Sequence, residues 1–155
     1  MEKFKTKVAI YARTNNNCVE SINHQISSML SYIEKEEIGG LSGIYVDCGF
    51  SGIDKNRPEY NRLFNDVKTG KINTIIIYDV SRLSRNIFEI DEKFGEYIIE
   101  EKVNIIGITD GYISKENSIY KSFSNIIKDF YKRDMAAKRK ATREFKKRNS
   151  IKKEV

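Results

Sequence analysis

Between Ile72 and Tyr78 the chain reads INTIIIY, a β-branched run too continuous for a strand with one wet face. Such a strand needs apolar cover on both sides, and helices crossing over a parallel sheet supply it. The flanking sequence has the matching parts. Lys7–Ala12, Ile44–Val46 and Val103–Ile108 are further short strand candidates. Between the strands, apolar residues recur at helical spacing: Ile22, Ile26, Met29, Leu30 and Ile33 from Ser21 onward, then Tyr60, Leu63, Phe64 and Val67, then Ile87, Ile90, Phe94, Tyr97 and Ile98. Pro58 falls where a first helical turn tolerates proline, Gly39 and Gly40 end the first helix, and Gly70 stops the second. This alternation predicts an α/β fold with a central, mostly parallel sheet flanked by helices. After the turn-like TDGYIS, a long helix begins near Ser118, apolar at Phe123, Ile126, Ile127 and Phe130 and then increasingly basic. The organisation expected is a single domain, with an α/β core over 1–116 and a long helix and basic tail over 117–155.

At 155 residues the chain is one domain long, with enough length to bury a real core. No stretch approaches the run of roughly 18 apolar residues a membrane helix requires, and Met1–Lys7 lacks the apolar follow-on of a signal peptide. A cytoplasmic protein is expected. Cys18 and Cys48 fall in different loops without metal-ligand spacing, and the single histidine, His24, has no evident partner. These residues argue against a zinc site or a histidine-based triad. Charge is unevenly spread: Lys132–Val155 holds eleven Lys or Arg against three acids, net +8, while the whole chain is +6. A basic terminal run suits a polyanion through phosphate neutralisation, although it also serves as a solvated, solubilising helix face.

In a parallel α/β sheet the strand-to-helix loops open on one edge, where ligands bind. That rule gathers residues far apart in sequence. Behind the first strand come Arg13, Thr14 and Asn15; behind the second, Asp47 through Gly52 and Arg57; behind the third, Asp79, Ser81, Arg82, Leu83, Ser84 and Arg85. Four arginines from three loops thus converge. Guanidinium forks match phosphate oxygens and stabilise charge on a transferring phosphoryl group. Their mutual repulsion demands an anion or acids nearby, and Asp47 and Asp79 are the available acids.

The segments YAR at 11–13, ESINHQ at 20–25, VDCGFSG at 46–52, Arg57–Pro58 and DVSRLSRN at 79–86 together resemble the catalytic domain of serine site-specific recombinases, the resolvases and invertases. The similarity runs from Lys7 to about Arg148. DVSRLSRN and NIIKDFYKRD at 125–134 look closest to the large transposon-type members. The resemblance implies attack of a serine hydroxyl on a DNA phosphodiester, without metal or cofactor. It makes Arg13, Arg57, Arg82 and Arg85 the phosphate-binding set and Gln25 a supporting active-site residue, with Asp47, Ser51, Asp79 and Ser81 around them. It also implies a DNA partner and dimerisation through the 118–148 helix, whose Lys138, Arg139, Lys140, Arg143, Lys146, Lys147 and Arg148 are the expected DNA contacts.

Two departures qualify that implication. The family motif runs Tyr-x-Arg-x-Ser, its serine being the nucleophile, and here the position is Asn15. An amide nitrogen, delocalised into its carbonyl, cannot replace an activated hydroxyl. Thr14 should face away from the arginines by strand alternation, and Ser21 reads as a helix cap. The chain is therefore expected not to cleave. It also stops just past the long helix, where recombinases carry a DNA-binding portion. Two other classes stay open: a non-catalytic module that binds DNA or pairs with an active recombinase, and a magnesium-dependent phosphoryl-transfer enzyme using Asp47 and Asp79.

Overall fold

The computed structural model describes residues 6–114 and 118–151, and among them the side chains of 6–86, 88–114, 130 and 132–147. Four strands, β1 (Lys7–Thr14), β2 (Gly40–Cys48), β3 (Thr74–Ile77) and β4 (Asn104–Gly107), form one all-parallel sheet in the order β2-β1-β3-β4. The helices are α1 (Val19–Lys35), α2 (Pro58–Lys68), the single-turn α3 (Val80–Leu83), α4 (Ile87–Ile99) and α5 (Ser118–Ile151). The α/β fold with a flanked parallel sheet and a long C-terminal helix is as the periodicity predicts.

The four residues of β3 are all buried, as a strand covered on both faces requires. Strand alternation then separates two cores. On one face Val8, Ile10, Ala12 and Ile76 pack with Ile22, Met29 and Ile33 of α1. On the other, an aromatic chain runs from Tyr11 to Tyr60, Phe94, Phe64 and Tyr97, with ring centroids 5.4–5.9 Å apart, tying β1 to α2 and α4. Fully burying one such side chain contributes about 1.5–3 kcal/mol, so these two layers hold the sheet edge in place.

Several boundaries differ from the sequence reading. The first helix starts at Val19 with Cys18 as its N-cap, so Ser21 lies inside it and caps nothing. That helix ends at Lys35; Gly40 opens β2, and Gly39 precedes it with φ of +145°. Arg13 and Thr14 belong to β1 itself, and Asp47 and Cys48 to β2. The turn α3 has no apolar stripe to betray it. The TDGYIS segment folds back so that Ile113 makes an antiparallel bridge to Ile106. By internal contacts the chain divides into Met1–Asn117 and Ser118–Val155. The side chains of Phe123, Ile126, Ile127 and Arg148 lie outside the described residues. No helix among the described residues is long and apolar enough to cross a membrane.

Candidate phosphate site at the sheet edge

The pairing of β1 with β3 stops at Tyr11 and Ile77, leaving Arg13 without a strand neighbour on that side. Gln25 of α1 fills the gap. Its Oε1 accepts from the Arg13 amide at 3.3 Å and its Nε2 donates to the Arg13 carbonyl at 3.2 Å, so a side-chain amide continues the ladder where the strand ends. The Arg13 backbone is thereby fixed, and its side chain leaves on the face of α2 and α4.

Arg13 and Arg57 are both only 2% exposed. Burial of two guanidinium groups requires a full set of acceptors, and the short helix α3 provides them. Its last carbonyls have no helical partner because it ends after one turn. The Arg13 Nη2 donates to the Ser81 carbonyl at 2.9 Å and its Nε to the Arg82 carbonyl at 3.0 Å. The Arg13 Nη1 donates to the Phe50 carbonyl at 2.9 Å and also to Asn15 Oδ1. Arg57 donates from Nη1 to the same Arg82 carbonyl at 3.5 Å and from Nε to the Asp54 carbonyl at 3.0 Å, with its guanidinium carbon 3.8 Å from the Tyr60 ring centre. These two arginines cap the turn that carries Arg82.

Arg82 and Arg85 are the outward pair. The side chain of Arg82 is 31% exposed; its Nη1 reaches the Arg13 carbonyl at 3.3 Å and its Nε meets Asp79 Oδ2 at 3.3 Å. Asp79 also accepts from the Ser81 hydroxyl. Arg85 is exposed. Gly52 sits close to both layers: a Cβ there would lie 3.0 Å from Arg13 Nη2 and 3.2 Å from Arg85 Cγ, so a larger residue would have to displace these side chains. Arg13 feels the other three guanidinium groups. Burial lowers the Arg13 pKa first, and the charges of Arg57, Arg82 and Arg85 lower it further against an opposing effect of Tyr11.

Asp47 is 1% exposed and fully engaged. Its Oδ1 accepts from the Glu59 amide at 3.1 Å, and its Oδ2 from the Tyr60 amide at 3.0 Å and the Tyr11 hydroxyl at 2.9 Å. The N-cap residue Arg57 offers no capping oxygen, so β2 supplies the cap from across the sheet. Tyr11 accepts in turn from Arg57 Nη1 at 3.1 Å. With Asp47 committed to helix amides and Asp79 to Ser81 and Arg82, the pair does not fit a hard-cation site, which needs free carboxylate oxygens.

The hydroxyls near Asn15 have hydrogen-bond partners of their own. Thr14 is 3% exposed and its Oγ1 donates to the Asn16 carbonyl at 2.5 Å. Ser21 Oγ accepts from Gln25 at 3.4 Å. Ser51 builds a turn, with its amide on Asp54 Oδ2 at 2.6 Å and its Oγ accepting from Ile53 at 3.4 Å. Cys18 is a half-buried free thiol and Cys48 an exposed one. His24, which the sequence left without a partner, meets the Tyr78 hydroxyl at 3.3 Å. Four contributors escaped the sequence reading: Tyr11, although YAR pointed at it; Tyr60 under Arg57; Asp54; and Asp110, whose Oδ2 accepts from the Val80 amide at 2.8 Å and starts α3.

Burial also raises the phenols. Desolvation pushes Tyr60 up to about 12, and desolvation with the Asp66 hydrogen bond pushes Tyr45 up to about 12. A phenol that ionises less readily when folded favours unfolding once pH exceeds its unfolded value. The stability these phenols contribute should therefore be constant up to about pH 10, the ordinary tyrosine value, and be lost from there as pH rises toward 12. Circular dichroism against pH checks this. All nine tyrosines ionising in one step near pH 10 with helix content intact would contradict it.

In α5, described by itself, Lys138, Arg139, Lys140, Arg143, Lys146 and Lys147 are all exposed. Arg139, Arg143 and Lys146 share one face by their i, i+4, i+7 spacing. Lys138 pairs with Asp134 at 2.6 Å.

The α/β unit is thus a four-stranded parallel domain with an arginine-rich carboxyl edge. Residues 8–153 match the family described as "Resolvase, N terminal domain", and the chain belongs to that family. It is 30% identical over 133 residues to the "Putative DNA recombinase" of Bacillus subtilis (strain 168); the match covers 81% of this chain and 25% of that protein, so the chain spans about a quarter of its relative's length. Among solved structures, the N-terminal catalytic domain of TP901-1 integrase is 27% identical with a TM-score of 0.65, covering 83% of this chain and 98% of that one. A resolvase family site-specific recombinase from Streptococcus pneumoniae shares the fold at 23% identity and a TM-score of 0.62, covering 86% of this chain and 93% of that one. The resemblance drawn from the YAR, VDCGFSG and DVSRLSRN motifs is borne out.

Proposed function

We propose that this chain acts in DNA site-specific recombination as a serine-recombinase catalytic domain that holds a backbone phosphate through its arginines and, with Asn15 at the nucleophile position, does not cut it. The observation that carries this reading is the layering of four guanidinium groups at one edge, with Asn15 bonded to the innermost. Arg82 and Arg85 present donors to a phosphate. Arg13 and Arg57, buried behind, keep α3 in place and add to the positive field. The exposed face of Arg139, Arg143 and Lys146 on α5 offers phosphate contacts of its own. The partners are DNA and a second copy through the 118–148 helix, in the cytoplasm. Asn15 equally supports a variant of the reading, a non-catalytic module that associates with an active recombinase.

Salt dependence of duplex binding tests the phosphate contacts. Each one contributes about 0.9 to the slope of log K against log salt. Arg85→Ala should lower the slope by about one such step, and Arg139→Ala with Arg143→Ala should lower it by about two. Binding should be largely independent of sequence, since these contacts go to phosphates. An unchanged slope in Arg85→Ala would remove the sheet edge from the DNA contact.

A further inference from the structure

The loops that carry the arginine edge also hold two large apolar side chains exposed to water. Phe88 is 77% exposed, the most exposed large hydrophobic side chain among the described residues, and Ile53 is 65% exposed. A single exposed hydrophobic residue needs no explanation. Here the placement is specific. Ile53 directly follows Gly52, where an added Cβ would meet Arg13 and Arg85. Phe88 comes three residues after Arg85, in the first turn of α4, and its amide is capped by Asn86 Oδ1 at 3.1 Å. The intervening loop is pinned: the Ser84 hydroxyl donates to Glu89 Oε2 at 2.7 Å and accepts from the Asn86 amide at 3.1 Å. Phe88 is therefore exposed on a hydrogen-bonded loop three residues along the chain from the exposed Arg85.

A flat aromatic beside accessible arginines suits one kind of occupant. Every nucleobase has a π-face that stacks on such a ring while guanidinium groups hold the adjoining phosphate. A protein surface matching the ring alone would still have to neutralise the arginines. We propose that Phe88, with Ile53 at the other flank, contacts a nucleobase next to the phosphate held by Arg82 and Arg85, so that the site prefers a strand whose bases are unstacked or unpaired over an intact duplex. This rests on the phosphate reading above. It adds that the edge recognises the local state of the bases as well as the backbone charge, because a paired, stacked base has no face to offer.

The test uses the full chain and a duplex with 2-aminopurine in a short mismatched bubble, set against the fully paired duplex. The bubble should bind roughly 5- to 100-fold tighter, the range that stacking of one base supports, with a change in 2-aminopurine fluorescence. Phe88→Ala, at a site too exposed to threaten folding, should abolish both the preference and the fluorescence change while leaving the salt slope intact. Phe88→Trp should retain them. Equal binding of bubble and duplex by the native chain, or a preference that survives Phe88→Ala, overturns the proposal. So does a Phe88→Ala chain that loses self-association in DNA-free sedimentation and keeps the bubble preference, which would make the ring a protein contact. Arg85→Ala separates the two levels: a lowered slope with no Phe88 effect removes this inference alone, and an unchanged slope removes the phosphate reading and this inference with it.

Discussion

Replacing Asp47 with alanine should destabilise the α/β unit by about 3–5 kcal/mol, because it strips the acceptor from several buried donors at once. Three donors would lose their acceptor together: the Glu59 and Tyr60 amides and the Tyr11 hydroxyl. Each unsatisfied buried donor costs about 1–3 kcal/mol. Domains of this size have about 5–15 kcal/mol in total, so the loss is a large share of the whole. With a urea m-value of about 2 kcal/mol per molar, the unfolding midpoint should drop by about 2 M. Asp47→Asn retains one acceptor oxygen and should lose less than half as much. A midpoint for Asp47→Ala within about 0.5 M of the native one would mean that the start of α2 is held by something else. The consequence also reaches the site, because Tyr11 links Asp47 to Arg57, and Arg57 shares the Arg82 carbonyl with Arg13.

What the sequence made legible was whatever repeats locally. The run TIII read as a two-face-buried strand because β-branching and continuity are properties of adjacent residues. The α2 helix read correctly because Pro58 marks its first turn and the Tyr60, Leu63, Val67 stripe follows. The gathering of the arginines was legible too, since a parallel sheet forces its loops to one edge. Their division of labour was not. Arg13 and Arg57 look like Arg82 and Arg85 in sequence, and what buries them is a set of carbonyls on Phe50, Asp54, Ser81 and Arg82 that comes together only in the fold. The α3 turn was invisible for a similar reason: its first amide is held by Asp110, thirty residues on. The sequence offers Asp47 as a metal ligand or a balance for the arginines, and in the fold its carboxylate accepts from the first amides of α2. Nothing in PEYN announces that its cap is missing locally.

The largest functional change should come from Asn15. Gln25 fixes the Arg13 backbone and α3 fixes its guanidinium, so on the proposed reading the edge needs only an attacking oxygen to act on a phosphate. Asn15→Ser would supply a hydroxyl whose oxygen bonds to phosphorus as a bond from phosphorus to a deoxyribose oxygen breaks. That sugar oxygen leaves as a hydroxyl, and a phosphoserine link to DNA remains. It would also release the Arg13 Nη1 donor that Asn15 Oδ1 now occupies, freeing it for the charge that develops. Arg13→Ala in the same background should abolish the link, since α3, which carries Arg82, would no longer be held. The decisive measurement is the yield of covalent protein–DNA adduct on labelled, nicked or supercoiled DNA, with the Asn15→Ser chain fused to a DNA-binding module to supply affinity. The account predicts no adduct from the native chain, fused or not, and an adduct at residue 15 from the fused Asn15→Ser protein. An adduct formed by the native chain, or none from the fused variant, would contradict it.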